Sequence, residues 1–267
     1  MKKVKQYIKS GIGIAVASIL FTACQKVINI DLNSVSPQTV VQANFTDMAI
    51  RDTVVLTQTV NFSDPNYFPA IAGAFVTIGD NAGNLDTLFE YPVGTYTSAK
   101  LTGVPGRTYT LNIANANGKS YSSTCTMPQP VNIDTLTVTK SPFGRNSLVV
   151  NVVFQDPGGG TNYYKFIKKI NSTVSTRIYL TDNQLQSGQK ITFPLVGEND
   201  SLKAGDSVRV YLETIDPNVF KYYSSLNNAS GGGGANVAPA NPASNINNGA
   251  LGYFSAYAVT TKSILVP

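Results

Sequence analysis

The chain holds two cysteines, no histidine and 15 acidic residues, and these counts bound the chemistry its side chains can perform. Without histidine, neither a Ser-His-Asp nor a Cys-His arrangement can activate a nucleophile, and an H-E-x-x-H zinc site is excluded. Two cysteines cannot build a Cys/His metal cluster. Hydrolysis by paired carboxylates is the one familiar mechanism the composition leaves open. The acids, however, mostly sit beside Gly, Pro or Asn, as in Asp64-Pro65, Gly79-Asp80, Asp156-Pro157, Gly205-Asp206 and Asp216-Pro217. Those neighbours mark turns and helix caps, where a carboxylate accepts backbone N–H bonds. The run from Asp80 to Asp86 resembles a calcium loop only superficially. Ala82 stands at its second ligand position and the distal Glu is missing, so a hairpin turn is expected. The glycines from Gly231 to Gly234 lack the Lys-Ser/Thr pair of a phosphate loop. No catalytic residue, metal or cofactor is assigned, and a non-enzymatic protein is expected.

Cys24 carries the most specific chemical signal. Lys2, Lys3, Lys5 and Lys9 precede an uncharged apolar run from Gly11 to Phe21, which ends in Leu20-Phe21-Thr22-Ala23-Cys24. A basic segment, a short apolar segment and small residues before a cysteine form a lipoprotein export signal, here residues 1–23. Such a signal is cut on the N-terminal side of the cysteine, leaving Cys24 as the acylated anchor. Phe21 is bulkier than the strictest form of the motif allows. The apolar run is too short to span a bilayer as a helix. Four of the 20 Lys+Arg lie in this segment and no acids do, leaving 16 basic against 15 acidic residues beyond it. The excess positive charge that nucleic-acid binding requires is therefore absent from the remainder.

With Cys24 acylated, Cys125 has no intramolecular partner. Tyr121, Ser123, Cys125 and Met127 alternate on one face of a strand, which places the thiol in a core rather than at a reactive site.

The elements that must position these residues are strands. Only 13% of the chain is charged, and Thr, Ser, Asn, Val and Tyr are abundant, a composition that favours strands and turns. The first half reads as short strands: 40–45, 53–60, 74–78, 86–90, 96–100, 108–114 and 119–127. The loop 61–70 carries two prolines and several Asx residues, and Asn117-Gly118 closes a hairpin. Met127-Pro128-Gln129-Pro130 stiffens a boundary. Further strands are expected at 133–139, 147–154, 163–170, 176–180, 190–194 and 207–215. A helix over 217–228 would be capped by Asp216 with Pro217 at its first position. A long mobile loop is expected at 230–248, and a final strand at 251–266 is apolar enough on both faces to be central. The expected fold is all-β: two immunoglobulin- or transthyretin-like β-sandwich domains, 24–130 and 131–267, with one short helix near the C-terminus.

Several segments resemble, in order, a family of Bacteroidota outer-membrane lipoproteins classed as a domain of unknown function. They are Cys24 to Leu32, Phe62 to Pro69, Gly73 to Ile78, Leu101 to Leu111 and Asn248 to Tyr257. Gly94 to Tyr96 and Leu101 to Leu111 also resemble carboxypeptidase regulatory-like domains. The resemblance implies an outer-membrane lipoprotein, often encoded near TonB-dependent transporters, and supplies no catalytic residues. The acidic residues that often follow the cysteine of surface-displayed lipoproteins are absent, Gln25-Lys26-Val27 standing in their place. Periplasmic and surface sides both stay open.

Tyr67 and Phe68 give the one positive sign of binding, because they lie in a polar, proline-bounded loop where a core does not require aromatics. The stretch 230–248 is a second candidate contact region. Tyr222, Tyr223, Tyr253 and Tyr257 are expected to join the helix to the last strand. The function expected is a lipid-anchored accessory or binding protein, with the membrane, a transporter, or a peptide or glycan ligand as partner. A structural or adhesive envelope protein and a carboxylate-only hydrolase are the alternatives.

Overall fold

Alternating β-branched and aromatic residues become strands throughout the computed structural model, which describes residues 36–61, 65, 67–98, 100–141, 147–197, 202–229 and 241–267. The export signal, Cys24 and residues 230–240 lie outside the described residues, as do 62–64 and 66 of the proline-bounded loop. The described residues are mostly β, with several sheets and, among them, one α-helix near the C-terminus.

In the first half the strands are β1 (Thr39–Thr46), β2 (Thr53–Gln58), β3 (Phe75–Asp80), β4 (Leu85–Thr87), β5 (Phe89–Glu90), β6 (Thr95–Thr97), β7 (Thr108–Ala116) and β8 (Lys119–Thr126). The second half supplies β9 (Ile133–Lys140), β10 (Leu148–Gln155), β11 (Tyr163–Ile170), β12 (Thr173–Val174), β13 (Tyr179–Asp182), β14 (Lys190–Pro194) and β15 (Ser207–Ile215). Helix α1 (Pro217–Asn227) and the long strand β16 (Leu251–Leu265) close the chain. The segment expected as a strand over 176–180 begins three residues later. The Ser175 hydroxyl accepts the Arg177 N–H at 3.3 Å and bends the backbone there.

One nine-stranded sheet runs β12-β11-β15-β16-β1-β2-β6-β5, with β13 also on β11. The sheet β4-β3-β7-β8 faces its first-half end, and β14-β10-β9 faces the other. In the first sandwich Val41, Ala43 and Phe45 of β1 pack with Ile78, Tyr109 and Leu111, and the Phe45 and Tyr109 rings lie 4.7 Å apart. In the second, Val150, Val152 and Phe154 of β10 meet Tyr164, Phe166, Val208 and Val210.

The last strand belongs to both sandwiches. Leu251 to Tyr257 pair in parallel with Val40 to Thr46 of β1. Ala258 to Leu265 pair antiparallel with Thr214 to Ser207 of β15. The chain after Pro130 therefore does not go to one core: Phe254, Ala256 and Ala258 join the first hydrophobic cluster, as do Val219, Tyr222 and Tyr223 of the helix. The helix starts as its sequence dictates, the Asp216 carboxylate accepting the Asn218 N–H at 2.8 Å.

Strand alternation explains why β16 needs apolar residues on both faces. Phe254 and Ala256 share the face of their partners Ala43 and Phe45, towards β7 and β8. Tyr253 faces the opposite way, and its ring lies 4.8 Å from Tyr222 and 5.1 Å from Tyr223. Gly252 makes the close pairing with β1 geometrically feasible. Its φ is +97°, and a Cβ there would lie 1.9 Å from the Val41 carbonyl oxygen. Gly252→Ala is expected to cost at least about 3 kcal/mol through overlap and a forced left-handed backbone. Urea unfolding measures this, and an unchanged midpoint would contradict the role given to the glycine.

Candidate functional site

Among the described residues, Cys125 and several carboxylates are committed to the scaffold. Cys125 is buried, accepts the Ala256 N–H at 3.2 Å and lies in the first core. Burial, and secondarily the negative charge of Asp216, push its thiol up to about 12, so it is not a nucleophile at physiological pH. Asp80 closes its hairpin by accepting from the Ala82 and Asn84 N–H groups at 3.0 and 2.9 Å and from Arg107 Nη1 at 2.7 Å. Asp206 accepts from Asn171 Nδ2 and the Lys203 N–H.

Asp156 organises the glycine turn that follows it. Its carboxylate accepts from the Gly158 and Gly188 N–H groups, both at 2.8 Å, from Asn183 Nδ2 at 2.9 Å and from the Tyr164 hydroxyl. Burial alone would raise its pKa, but the bonds from Asn183, Tyr164, Gly188 and Gly158 bring it down to about 2. Asp52, in the β1–β2 turn, is different. One oxygen accepts the Thr46 N–H at 3.0 Å, while the other is buried without a hydrogen-bond partner. Burial, partly offset by the Thr46 bond and reinforced by nearby Asp47, raises Asp52 to about 8. Among the described residues, no three of His, Cys, Asp or Glu converge as a metal site would need.

A second polar cluster lies between the helix and the back of the long sheet, and no local pattern in the sequence signals it. Lys165 on β11 and Glu213 on β15 are directly paired in register, their side chains 2.6 Å apart. The ammonium sits 4.5 Å above the Tyr223 ring, and Tyr253 Oη donates to Asn44 Oδ1 at 3.2 Å. A cavity of about 190 Å³ opens beside Lys165, Arg177 and Tyr223. It is smaller than the ~300 Å³ at which drug-sized ligand sites begin, and the lysine charge is already matched. A shallow groove of about 340 Å³ crosses the outer face of β3, β7 and β8 near Phe75, Asn112 and Asn247.

Four exposed apolar side chains lie together at one end of the first sandwich, while Ile50, Leu85 and Val104 are exposed towards its other end. Tyr67 and Phe68 are 73% and 51% exposed. Tyr91 and Val93, in the β5–β6 turn, are 77% and 67% exposed. Sequence reasoning missed this second pair, although Tyr91-Pro92-Val93-Gly94 carries the same aromatic–proline combination as Tyr67-Phe68-Pro69.

Hydrogen bonding shows why the two segments lie at one end. The Gln58 N–H donates to Pro69 O and the Leu56 N–H to Gly94 O, both near the end of β2. Glu90 ties them together, its carboxylate accepting the Gly94 N–H at 2.7 Å and the Gly73 N–H at 2.9 Å. These two bonds hold Glu90 below the usual carboxylate range. Tyr96 adds a third tie: its hydroxyl donates to Ile71 O at 3.0 Å and accepts the Ala74 N–H at 2.9 Å. Gly94, at φ +74°, has no room for a Cβ, which would meet the Ala70 Cβ at 2.7 Å.

The expected mobile stretch 230–248 is anchored in its described part. Asn245 bonds both the N–H and the C=O of Phe254, and Asn247 bonds the Ser122 N–H and hydroxyl. Asparagine side chains here take the place of the missing ladder bonds.

A β-sandwich scaffold with an aromatic end held by Glu90 defines a class by its architecture. The chain belongs to the family described as a domain of unknown function, DUF4249, which matches residues 25–263. None of the curated proteins compared matches it. Among solved structures it is similar to two forms of a cytokine receptor complex. Both are 13% identical at TM-score 0.27, covering 65% and 84% of this chain and 89% and 94% of theirs. It is also similar to a DUF4785 family protein from Legionella pneumophila, 10% identical at TM-score 0.27, over 67% of this chain and 52% of that one. Scores this low carry no argument about function.

Two outcomes follow from these geometries. The folded chain holds the Asp52 proton up to about pH 8, whereas the unfolded chain releases it near 3.8. Its contribution to stability is therefore complete below pH 3.8 and is lost as pH rises towards 8. Asp52→Asn should gain stability relative to the native chain between pH 4.5 and pH 8, seen as a growing difference in urea midpoint. A pH-independent difference would contradict the raised pKa. Glu90→Ala should speed amide hydrogen exchange at Gly73 and Gly94 by at least about tenfold, the loss of one ~1.4 kcal/mol restraint at each.

Proposed function

We propose that this is a lipid-anchored, non-enzymatic cell-envelope protein of the outer membrane that acts by binding, as an accessory to a partner. The observation that supports this reading is the division of labour among its residues. Among the described residues Asp80, Asp156, Asp206, Asp216 and Cys125 are occupied by turns, a cap and the core, while Tyr67, Phe68, Tyr91 and Val93 are displayed together at one end. Aromatic residues exposed as a group mark contact surfaces. Cys24 supplies the attachment, and the family resemblance makes a TonB-dependent transporter the partner to look for. Among the described residues no helix is long and apolar enough to cross a membrane.

Anchor and partner are tested separately. Labelled palmitate should enter the native chain and not Cys24→Ala, and the variant should leave the detergent phase on Triton X-114 partition. Label retained in the variant would refute Cys24 as the anchor. Purification of the native chain from membranes in mild detergent should bring a transporter with it. Recovery of the chain alone would refute the accessory role.

A further inference from the structure

The aromatic end is also the end at which the polypeptide from Cys24 enters the fold. Thr39, the first residue of β1, pairs with Gln58, the last of β2. One step earlier the Gln38 N–H donates to Thr59 Oγ1 at 2.9 Å, and the Thr59 N–H donates back to Gln38 O. The incoming chain is thus bonded to the first residues of the loop that carries Tyr67 and Phe68. The β5–β6 turn with Tyr91 and Val93 lies on the same level through the bond from Leu56 to Gly94.

Only residues 25–35 separate Cys24 from the described fold. Twelve residue-to-residue steps reach at most about 40 Å. By contrast β16 starts at this end, where Leu251 pairs with Val40, and runs 15 residues away from it. At ~3.3 Å per residue its far end stands roughly 45 Å off. An acyl chain on Cys24 is therefore joined to the fold at the aromatic end, and not at the second sandwich.

Charge is distributed accordingly. Among the described residues of 36–38, 59–61, 67–74, 91–94, 115–119 and 245–250, Lys119 is the single charged one. The neighbouring Glu90 is turned onto the Gly73 and Gly94 amides. Asp47, Arg51, Asp52, Asp80 and Arg107 lie at the opposite end of the same sandwich. Asp64 of the Tyr67 loop adds one acid in the sequence, and tyrosine and phenylalanine among so few charges suit the headgroup boundary, where one part of the ring can be wet and the other apolar.

We propose that the end bearing Tyr67, Phe68, Tyr91 and Val93 seats in the interfacial layer of the bilayer that holds the Cys24 acyl chain. This rests on the acylation of Cys24. The lipid fixes the distance and the aromatic end fixes the orientation, so the second sandwich points away from the membrane. Glu90 is the positioning residue that ties both aromatic segments together through the Gly73 and Gly94 amides.

The chain contains no tryptophan, so a single introduced one reports its own surroundings. Phe68→Trp, Tyr91→Trp and Leu265→Trp are made in the full lipidated chain and reconstituted in phosphatidylethanolamine/phosphatidylglycerol vesicles whose acyl chains are brominated near the headgroups. All three positions are exposed, Leu265 by 67% at the far end of β16. Side chains seated ~5–10 Å into the boundary should be quenched at least about twofold at positions 68 and 91, with little change at 265. Equal, weak quenching at all three positions in protein with acylated Cys24 overturns the proposal, leaves the anchor standing and frees the end for a protein partner. Protein without acyl on Cys24, by mass spectrometry of the same preparation, overturns the anchor and this proposal together.

Discussion

Pairing of β16 with two different neighbours is the constraint on which the molecule depends. Its first seven residues complete the first sandwich beside β1, and the remainder complete the second beside β15. Each facing sheet then has a continuous surface to pack on. The parallel pairing needs Gly252 opposite Val41, because any Cβ there would occupy the space of a carbonyl oxygen. Both faces of the strand must also be covered. Phe254 and Ala256 are buried by the first sandwich, and Tyr253 by the helix.

Under the helix the fold tolerates charge because every charge is matched. Lys165 and Glu213 are register partners on adjacent strands, so their pairing is fixed by the backbone, with little side-chain freedom left to lose. Burial raises Glu213, and the Lys165 charge partly counters it. The Tyr223 and Tyr257 rings, 4.5 and 5.7 Å from the ammonium, add a polarisable wall. A buried pair of this kind contributes more to register than to net stability. Shifting β11 by one residue would turn Lys165 into the second core and Phe166 to the helix.

Much of this was legible because strands and turns are local. Thr108 to Ala114 announces its inward face through Tyr109, Leu111 and Ile113, and Asn117-Gly118 announces the hairpin after it. Asp216-Pro217 marks the helix start within one residue. The two apolar faces of 251–258 point to a central strand. What the sequence hides is long-range. No local pattern says that Leu251 lies beside Val40, or that Lys165 meets Glu213. Tyr67 and Phe68 stood out because aromatics are unusual in a polar loop. Their association with Tyr91 and Val93 depends on Glu90, whose two hydrogen bonds reach residues on separate segments. The thiol of Cys125 was readable from alternation alone, since Tyr121 and Met127 share its face.

The parallel pairing of β1 with β16 also bears on how the chain comes to be folded. A polypeptide delivered N-terminus first, from a ribosome or through a translocation pore, releases β1 more than two hundred residues before its hydrogen-bonding neighbour. Until then one edge of β1 is an open template, and β2 and β6 can cover only the other. Contacts of such sequence separation form slowly, so the chain stays unfinished throughout its delivery. Retention of an incomplete fold, which is hazardous in a crowded compartment, is here built into the strand order. The sheet cannot close until its final fifteen-residue strand arrives.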